Sequence, residues 1–383
     1  MAITIKKFQF TDKESGWTLN ETEFSHFNLL VGVSGVGKTR VLEAIGRLRN
    51  LILDLERGAS RFRVIDRGCK WKIVFQDKNK EIIWSAETAS LQNEAGSFRR
   101  KFLAEKIVID GVEIVDRKEE DFLFEGNRLP RLSDSESSVI LLARESSLYP
   151  IRCFLYYLIH EEHGEFSQSF SETSFNIYTD SLPKKKSIIS LNSRPFLIKL
   201  YNLQEQFPEK YQQIKEDFLA IFNSVEDIKI GLPNDFEPFY PDTLHKAGLI
   251  LLHFGIKENG KWIISDRISL GMRKTLYYLF ELALAPHGTV FLIDEIENSM
   301  GVNCLPQLMD IMFRHSNDFQ FIITSHHPYV INNIPLEYWK IVQRDGSNVT
   351  IRDASSIPAL QTNSLQDKFL LLTNSKEYEE GIR

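Results

Sequence analysis

A chain of 383 residues, with 43% hydrophobic and 26% charged residues, has the composition of a folded protein with two or three structural units. Its net charge of −6 argues against a protein that coats nucleic acid unaided, because such domains usually carry a basic face. Three widely separated cysteines indicate a reducing compartment and no structural zinc. The first residues lack the apolar core of a signal peptide, and no apolar run could span a membrane, so we expect a cytoplasmic protein.

Residues 1–130 are predicted to form short strands around one amphipathic helix. Polar turns at Asp77–Asn79 and at Asp110-Gly111 each separate two apolar runs, which predicts two hairpins. The other predicted elements are the strands Ile3–Phe10, Trp17–Leu19 and Phe27–Val31 and the helix Lys38–Leu55. This part of the chain is therefore expected to be rich in antiparallel sheet.

Residues 131–226 have helical periodicity instead, without sustained heptads, so we expect a helical insertion and no coiled-coil arm. The stretch Gly164–Ser193 inside it is polar and rich in serine, which is typical of a long loop. The predicted helices are Ser137–Glu145, Ile151–Glu161, Phe196–Gln206 and Glu209–Asn223.

Strands return in residues 227–356, where a hairpin is predicted around Glu258–Gly260. A helix over Gly271–Ala285 precedes two strongly apolar strands, Val290–Ile293 and Phe319–Thr324, with a further helix at Cys304–His315 between them. Residues 357–383 form a tail whose apolar run Phe369–Leu372 could either dock a partner or cover the core. Strands that alternate with helices predict an α/β fold.

The segment Gly32–Thr39 reads Gly-Val-Ser-Gly-Val-Gly-Lys-Thr and lies between a predicted strand and a predicted helix. Glycines allow backbone N–H groups to surround phosphates, Lys38 brings a charge to the β- and γ-phosphates, and the Thr39 hydroxyl can hold Mg²⁺. The helix adds its positive N-terminal end. The residues expected to contact the nucleotide are Gly32, Val33, Ser34, Gly35, Val36, Gly37, Lys38, Thr39 and Arg40.

Two carboxylates end the apolar strand Val290–Ile293, where ligands gather in parallel sheets. Asp294 would join Thr39 in the Mg²⁺ shell, and Glu295 would polarise the attacking water. The second apolar strand delivers His326 and His327 in the same way, and one of them could sense the γ-phosphate. Upstream, Ser269 and Gly271 open a helix and could form a second anion-binding end.

At these residues the chain resembles the ABC-type ATPases, the nucleotide-binding heads shared by transporters, SMC proteins and DNA-repair ATPases. Gly32–Thr39 matches Walker A, Ile268–Gly271 the signature, Val290–Glu295 Walker B, and His326 the switch histidine. The resemblance implies a P-loop head with a mixed sheet, an antiparallel β-subdomain and a helical insertion. It also implies ATP and Mg²⁺, with Lys38, Glu295 and His326 in hydrolysis. Two heads would sandwich ATP, so Ser269 and Gly271 would act in trans in a homodimer or higher homo-oligomer.

The segments Asp-Glu-Ile-Glu-Asn and Thr-Ser-His-His-Pro-Tyr-Val-Ile-Asn are most similar to ATPases of the OLD family and their stand-alone relatives in anti-phage operons. That family carries a Toprim nuclease domain after the ATPase, and the stretch beyond His326 is too short for one. The resemblance therefore implies an ATPase sensor or scaffold for a separately encoded effector, such as a Toprim or HNH nuclease. Contact with DNA would be indirect, and no membrane would be involved.

Some positions depart from the family pattern or stay open. Met272 follows the signature glycine where a polar residue is usual, and either His326 or His327 could be the switch. Gln76 is a candidate for the glutamine that completes the Mg²⁺ shell in this family. Phe10 and Trp17 are candidates for the aromatic residue that stacks on adenine. His160-Glu161-Glu162-His163 lacks the spacing of a zinc site and is interpreted as polar surface. The alternative functions are a DNA-maintenance ATPase that acts directly on nucleic acid, and a transporter ATPase.

Overall fold

The computed structural model describes residues 3–53, 68–92, 98–118, 121–130, 133–160, 173–176, 196–232, 235–236, 249–264, 267–301, 304–360 and 368–382. The chain divides into two compact units. The first comprises Met1–His160, His287–Ile296 and Ser316–Arg383, and the second comprises Glu161–Pro286 and Glu297–His315. The boundaries expected from the sequence, at residues 130, 226 and 356, stay a prediction. Within the described ranges, no helix is long and apolar enough to cross a membrane.

The elements are numbered along the chain. The strands are β1 (Ile3–Asp12), β2 (Thr18–Glu23), β3 (Phe27–Val31), β4 (Cys69–Asp77), β5 (Lys80–Gln92), β6 (Phe98–Ile109), β7 (Val112–Lys118), β8 (Asp121–Phe124), β9 (Asn127–Arg128), β10 (Leu158–His160), β11 (Thr173–Asn176), β12 (Asp227–Gly231), β13 (Leu249–Glu258), β14 (Lys261–Ile264), β15 (Val290–Ile293), β16 (Gln320–Thr324), β17 (Trp339–Asp345) and β18 (Asn348–Asp353). The helices are α1 (Lys38–Leu53), α2 (Ser138–Leu141), α3 (Tyr149–Tyr157), α4 (Phe196–Gln206), α5 (Pro208–Ile221), α6 (Leu270–Leu284), α7 (Leu305–Arg314), α8 (Pro328–Asn333), α9 (Lys368–Thr373) and α10 (Lys376–Glu379).

One large mixed sheet runs through the first unit. Its strand order, for the described residues, is β10-β15-β16-β3-β17-β18-β2-β1-β4-β5-β6-β7-β8-β9. Five neighbouring strands of this order, β10, β15, β16, β3 and β17, pair in parallel. Of these, β3, β15 and β16 are buried along their whole length. Such burial explains why the sequences of these strands are mostly apolar. The expected α/β fold with a mixed sheet is confirmed.

The strands β4 to β9 pair in antiparallel order along one side of this sheet. The hairpin between β6 and β7 turns at Asp110 and Gly111, which both have positive φ, as the sequence predicts. A buried carboxylate, Glu105, accepts hydrogen bonds from Trp84 Nε1 at 3.0 Å and from the backbone N of Ser138 at 2.7 Å. This buried carboxylate therefore fixes the start of α2 to the antiparallel strands.

The second unit combines helices with a small sheet. Strand β13 pairs with β11, β12 and β14, and the hairpin between β13 and β14 turns at Asn259-Gly260 as predicted. The helices α4 and α6 are joined by a buried ion pair between Lys199 Nζ and Glu281 Oε1 at 2.8 Å. Because a buried charge is costly unless paired, this contact fixes one helix against the other.

Two predictions of local structure are wrong in part. The helix predicted over Ile151–Glu161 ends at Tyr157, because residues 158–160 pair with β15 as the edge strand of the large sheet. The loop predicted over Gly164–Ser193 lies mostly outside the described residues, and the part that is described, Thr173–Asn176, is a strand. In the tail, Leu372 is fully buried whereas Leu370 is 56% exposed, so the apolar run both covers the core and faces solvent.

Candidate nucleotide-binding site

The loop Gly32–Gly37 connects β3 to α1, and its shape requires its glycines. A Cβ on Gly32 would lie 2.6 Å from the carbonyl oxygen of Val342, and Gly35 and Gly37 have φ values of +84° and +102°. Lys38 is only 5% exposed, and its Nζ donates to the carbonyl oxygens of Gly32 at 2.8 Å and of Val33 at 3.1 Å. The ammonium group is thus positioned inside the curve of the loop, where backbone N–H groups and a lysine can surround phosphates.

Asp294 follows β15 and joins two other elements of the first unit. Its Oδ2 accepts a hydrogen bond from Thr39 Oγ1 on α1 at 2.9 Å, and its Oδ1 accepts one from Thr324 Oγ1 at the end of β16 at 2.6 Å. The parallel register pairs Ile293 with Ile323, which brings the next residue of each strand side by side. The carboxylate is only 7% exposed, and both of its oxygens are satisfied by hydroxyl groups.

Glu295 has a strained backbone that Thr324 holds in place. Its φ of +45° lies in the left-handed region, which is unfavourable for a residue with a side chain. The backbone N of Glu295 donates to Thr324 Oγ1 at 2.7 Å, and the backbone N of Ile296 donates to the carbonyl oxygen of Thr324 at 3.2 Å. The sequence interpretation did not give Thr324 a role, because a threonine that ends an apolar strand carries no chemical signal of its own.

The two adjacent histidines have different environments. His327 caps α8: its Nδ1 accepts from the backbone N of Tyr329 at 3.2 Å, and its own N donates to Ser325 Oγ at 3.0 Å. His327 is half-buried, whereas His326 is exposed. The imidazole of His327 therefore has a structural contact at the start of the helix.

The segment expected to act in trans lies in the second unit. Ser269 is exposed and caps α6, because its Oγ accepts from the backbone N of Met272 at 3.2 Å. A Cβ on Gly271 would lie 2.8 Å from the carbonyl oxygen of Ser299, so close packing within the unit also requires this glycine. Leu270 between them is 39% exposed.

Residues far along the chain also contact the loop, and the sequence interpretation missed them. Arg344 on β17 donates from Nη1 to the carbonyl oxygen of Gly35 at 3.0 Å, and its backbone N donates to the carbonyl oxygen of Gly381 at 2.8 Å. Ile382 pairs with Arg344 in a parallel bridge, and its Cδ1 would lie 3.7 Å from a Cβ on Gly35. The last described residues therefore pack against the phosphate loop.

The prediction of Gln76 for the Mg²⁺ shell is wrong. It pairs with Thr4 at the start of β1. The strand pairing gives β1 the same direction as β3, and the phosphate loop follows the end of β3. Gln76 therefore lies at the opposite edge of the sheet from the phosphate loop. Its amide donates to the carbonyl oxygens of Lys78 and Lys80 in the turn after β4.

The interpretation of His160 as polar surface is also wrong, because His160 is half-buried and its ring lies against α1. A Cβ on Gly46 of that helix would lie 2.4 Å from His160 Nδ1. His163 lies outside the described residues.

The residues present fit a nucleoside triphosphate with a divalent cation. The glycine loop curves around a space for phosphates, and a Cβ on Gly32 would force this loop to shift. The buried ammonium group of Lys38 lies inside the curve. A hydroxyl and a carboxylate, Thr39 and Asp294, are 2.9 Å apart beside the loop and supply the oxygen ligands that Mg²⁺ prefers.

Residues 27–332 match the family model described as "AAA domain, putative AbiEii toxin, Type IV TA system". The Chromosome partition protein Smc of Methanocaldococcus jannaschii is 23% identical over 150 residues, which are 38% of this chain and 12% of that protein. This chain thus corresponds to a small part of Smc. A solved structure of an Smc head bound to the C-winged helix domain of ScpA matches with a TM-score of 0.52 and 14% identity, over 91% of this chain and 96% of that chain. The chain belongs to this AAA family and is a P-loop ATPase with the fold of an SMC head.

Proposed function

We propose that this chain hydrolyses ATP between two copies of itself and uses the nucleotide state to control a separately encoded effector protein in anti-phage defence. The observation that carries the hydrolytic part is the hydrogen-bonded group formed by Thr39, Asp294 and Thr324. This group holds the phosphate loop and the carboxylate of the neighbouring strand at one edge of the sheet, where parallel sheets bind their ligands.

Each residue of the site then has a separate task. Lys38 neutralises the β- and γ-phosphates, and Glu295 orients the attacking water and accepts its proton. Thr39 and Asp294 would hold Mg²⁺, which when bound neutralises charge on the phosphate oxygens. His326 contacts the γ-phosphate, as the resemblance implies, and the imidazole of His327 instead accepts a hydrogen bond at the start of α8.

Pairing of two heads rests on the exposed start of α6. Ser269 and Leu270 face solvent, and a helix N-terminus with a serine can bind the phosphate of a second molecule. We propose that Ser269 and Gly271 contact the γ-phosphate bound by the partner copy. A site that needs both copies would hydrolyse ATP slowly as a monomer.

The effector part of the proposal rests on the resemblance to stand-alone ATPases of defence operons and on the family description, which names a toxin–antitoxin system. Such a system consists of two gene products, which agrees with an ATPase that controls a second protein. The head that this fold matches is described in complex with another protein. Leu370, 56% exposed on α9, offers an apolar contact for the effector, a Toprim or HNH nuclease.

The alternative is a DNA-maintenance ATPase that acts directly on nucleic acid, and the similarity to a chromosome partition protein favours it. The net charge of −6 argues the other way, because direct DNA binding depends mainly on basic residues that contact phosphates. The two proposals differ in whether DNA binds the isolated chain.

Substitution of Thr324 should separate nucleotide binding from hydrolysis. Thr324→Val keeps the shape but removes the hydroxyl that holds both Asp294 and the backbone N of Glu295, so the steady-state rate should fall by about 10²-fold, as for small misplacements of catalytic groups. Calorimetric affinity for an ATP analogue should change much less. Thr22→Val, which removes another buried threonine hydroxyl from the same sheet, is the control. Equal rates for the two variants would contradict the role of Thr324.

Two substitutions in the site should differ in their effect on ATP binding. Glu295→Gln should retain ATP binding and slow turnover by ~10²–10⁴-fold, because an amide cannot accept the proton from water. Lys38→Ala should abolish binding, because it removes the charge inside the loop. Calorimetry and phosphate release measure the two properties. If Glu295→Gln hydrolyses ATP at the normal rate, another residue is the base.

Pairing of heads should depend on Ser269. In the slow Glu295→Gln background, ATP should drive dimer formation, and Ser269→Arg should block it because a large cation would occupy the place of the partner's γ-phosphate. Light scattering with and without ATP measures the mass, and calorimetry should show unchanged binding to single chains. Ser356→Arg, at an exposed serine of the first unit, is the control. ATP-driven dimers of the Ser269→Arg protein would rule out the sandwich.

The effector contact can be tested by co-expression with the product of the adjacent gene. Leu370→Lys should reduce copurification of that protein, whereas Val112→Lys, at an apolar residue that is 62% exposed at a hairpin tip, should not. The isolated chain should not cleave DNA with Mg²⁺ or Mn²⁺. Robust cleavage by the isolated chain would contradict the division between ATPase and nuclease.

A further inference from the structure

The first turn of α1 presents two successive side chains to different sides of the phosphate loop. Thr39 points to Asp294, as described above, whereas Arg40 points to the turn between β1 and β2, where its Nη2 lies 2.7 Å from Ser15 Oγ and 3.7 Å from Asp12 Oδ2. Successive residues of a helix point about 100° apart. If the metal and the terminal phosphates lie on the Thr39 side, as proposed above, the nucleoside leaves the loop on the Arg40 side.

The aromatic rings on that side are not open to solvent. Phe10 and Trp17 are 2% and 3% exposed, so neither of these candidates for stacking on adenine presents a ring face to solvent. The Arg40 guanidinium carbon lies 5.1 Å from the centre of the Trp17 ring and covers it. A Cβ on Gly37 would lie 3.6 Å from Trp17 Nε1, so the ring is in direct contact with the phosphate loop. Arg40 is thus the outer layer of a stack that begins at the loop.

The Arg40 guanidinium is fixed although its side chain is 44% exposed. Its partner Ser15 donates to Asp12 Oδ2 at 2.6 Å, and Arg47 lies 3.3 Å from Asp12 Oδ1. Burial would raise the pKa of Asp12, but the hydrogen bond from Ser15 and the charge and hydrogen bond of Arg47 outweigh it and lower that pKa. Asp12 therefore stays ionised near neutral pH, and the guanidinium plane has a hydrogen bond at its edge and an aromatic ring behind it.

We infer that the exposed face of the Arg40 guanidinium, backed by Trp17, is the platform on which the base of the bound nucleotide stacks. The planar, delocalised guanidinium stacks on flat ring systems, which an ammonium group cannot do. A platform of this kind recognises the area of a ring more than the groups at its edge. The ligand class is therefore a purine nucleoside triphosphate, with ATP and GTP bound comparably and CTP more weakly. This inference rests on the proposed function of the same loop.

The test compares a ligand with a base and a ligand without one. Calorimetry in Mg²⁺ gives the Kd of a non-hydrolysable ATP analogue and of inorganic tripolyphosphate for the wild type, Arg40→Lys and Arg40→Ala. Arg40→Lys keeps the charge and loses the plane, so it should weaken the analogue about tenfold, as expected for loss of one stacked base, and should leave tripolyphosphate nearly unchanged. Arg40→Ala should weaken the analogue at least as much. Arg152→Ala, which removes an arginine that lies 5.8 Å from the Tyr149 ring on α3, is the control.

Three outcomes would overturn the inference. One is full affinity of Arg40→Lys for the analogue, which would show that only the charge of Arg40 contributes to binding. Another is an equal loss for both ligands, which would assign Arg40 to the phosphates. The third is a wild type that binds CTP as tightly as ATP. A wild type that binds neither the analogue nor tripolyphosphate would instead contradict the proposed function itself. Thermal melting of each variant checks that the exposed substitution leaves the fold intact.

Discussion

The carboxylate of Asp294 is the contact on which the arrangement of the site depends. It is nearly buried, so each of its oxygens needs a donor, and the donors come from two different elements: Thr39 on α1 and Thr324 on β16. The helix that starts at the phosphate loop is thereby fixed to the ends of two neighbouring parallel strands. Because these two strands are buried along their whole length, the site is held by rigid elements and not by the loop alone.

The sequence was most informative where the chemistry is local. The glycine loop, Lys38 and Thr39 lie within eight consecutive residues, and Asp294 with Glu295 ends an apolar strand. Pattern and spacing were therefore enough to predict that Thr39 and Asp294 lie together, and their roles toward a nucleotide stay a prediction. Other contacts join residues that are far apart in the chain. Nothing near Thr324 in the sequence indicates that its hydroxyl holds Glu295, and nothing near Arg344 indicates a contact with Gly35. Such contacts follow from the order of strands in the sheet, which periodicity does not give.

The errors have the same origin. Leu158–His160 continues an apolar helix in sequence, and only the open edge of β15 makes these residues a strand, because pairing satisfies their backbone groups. Gln76 has suitable chemistry for a metal ligand but lies at the wrong edge of the sheet. Phe10 and Trp17 are aromatic residues near the loop, yet the structure uses them as buried support beneath charged side chains. In each case the residue type was suitable and the tertiary environment decided its use.

The segment that follows Glu295 in the chain is held by the helix α6. It enters the second unit at Glu297, where Lys274 on α6 donates to the carbonyl oxygen of Asn298 at 3.2 Å and Ser299 packs on Gly271. Glu295 and Ser299, at the two ends of this short segment, both have positive φ, a strained conformation for residues with side chains. Lys274 lies on the helix that begins beside Ser269. A partner copy that docks on Ser269, as proposed, would therefore contact the helix that holds Asn298 and Ser299 in place.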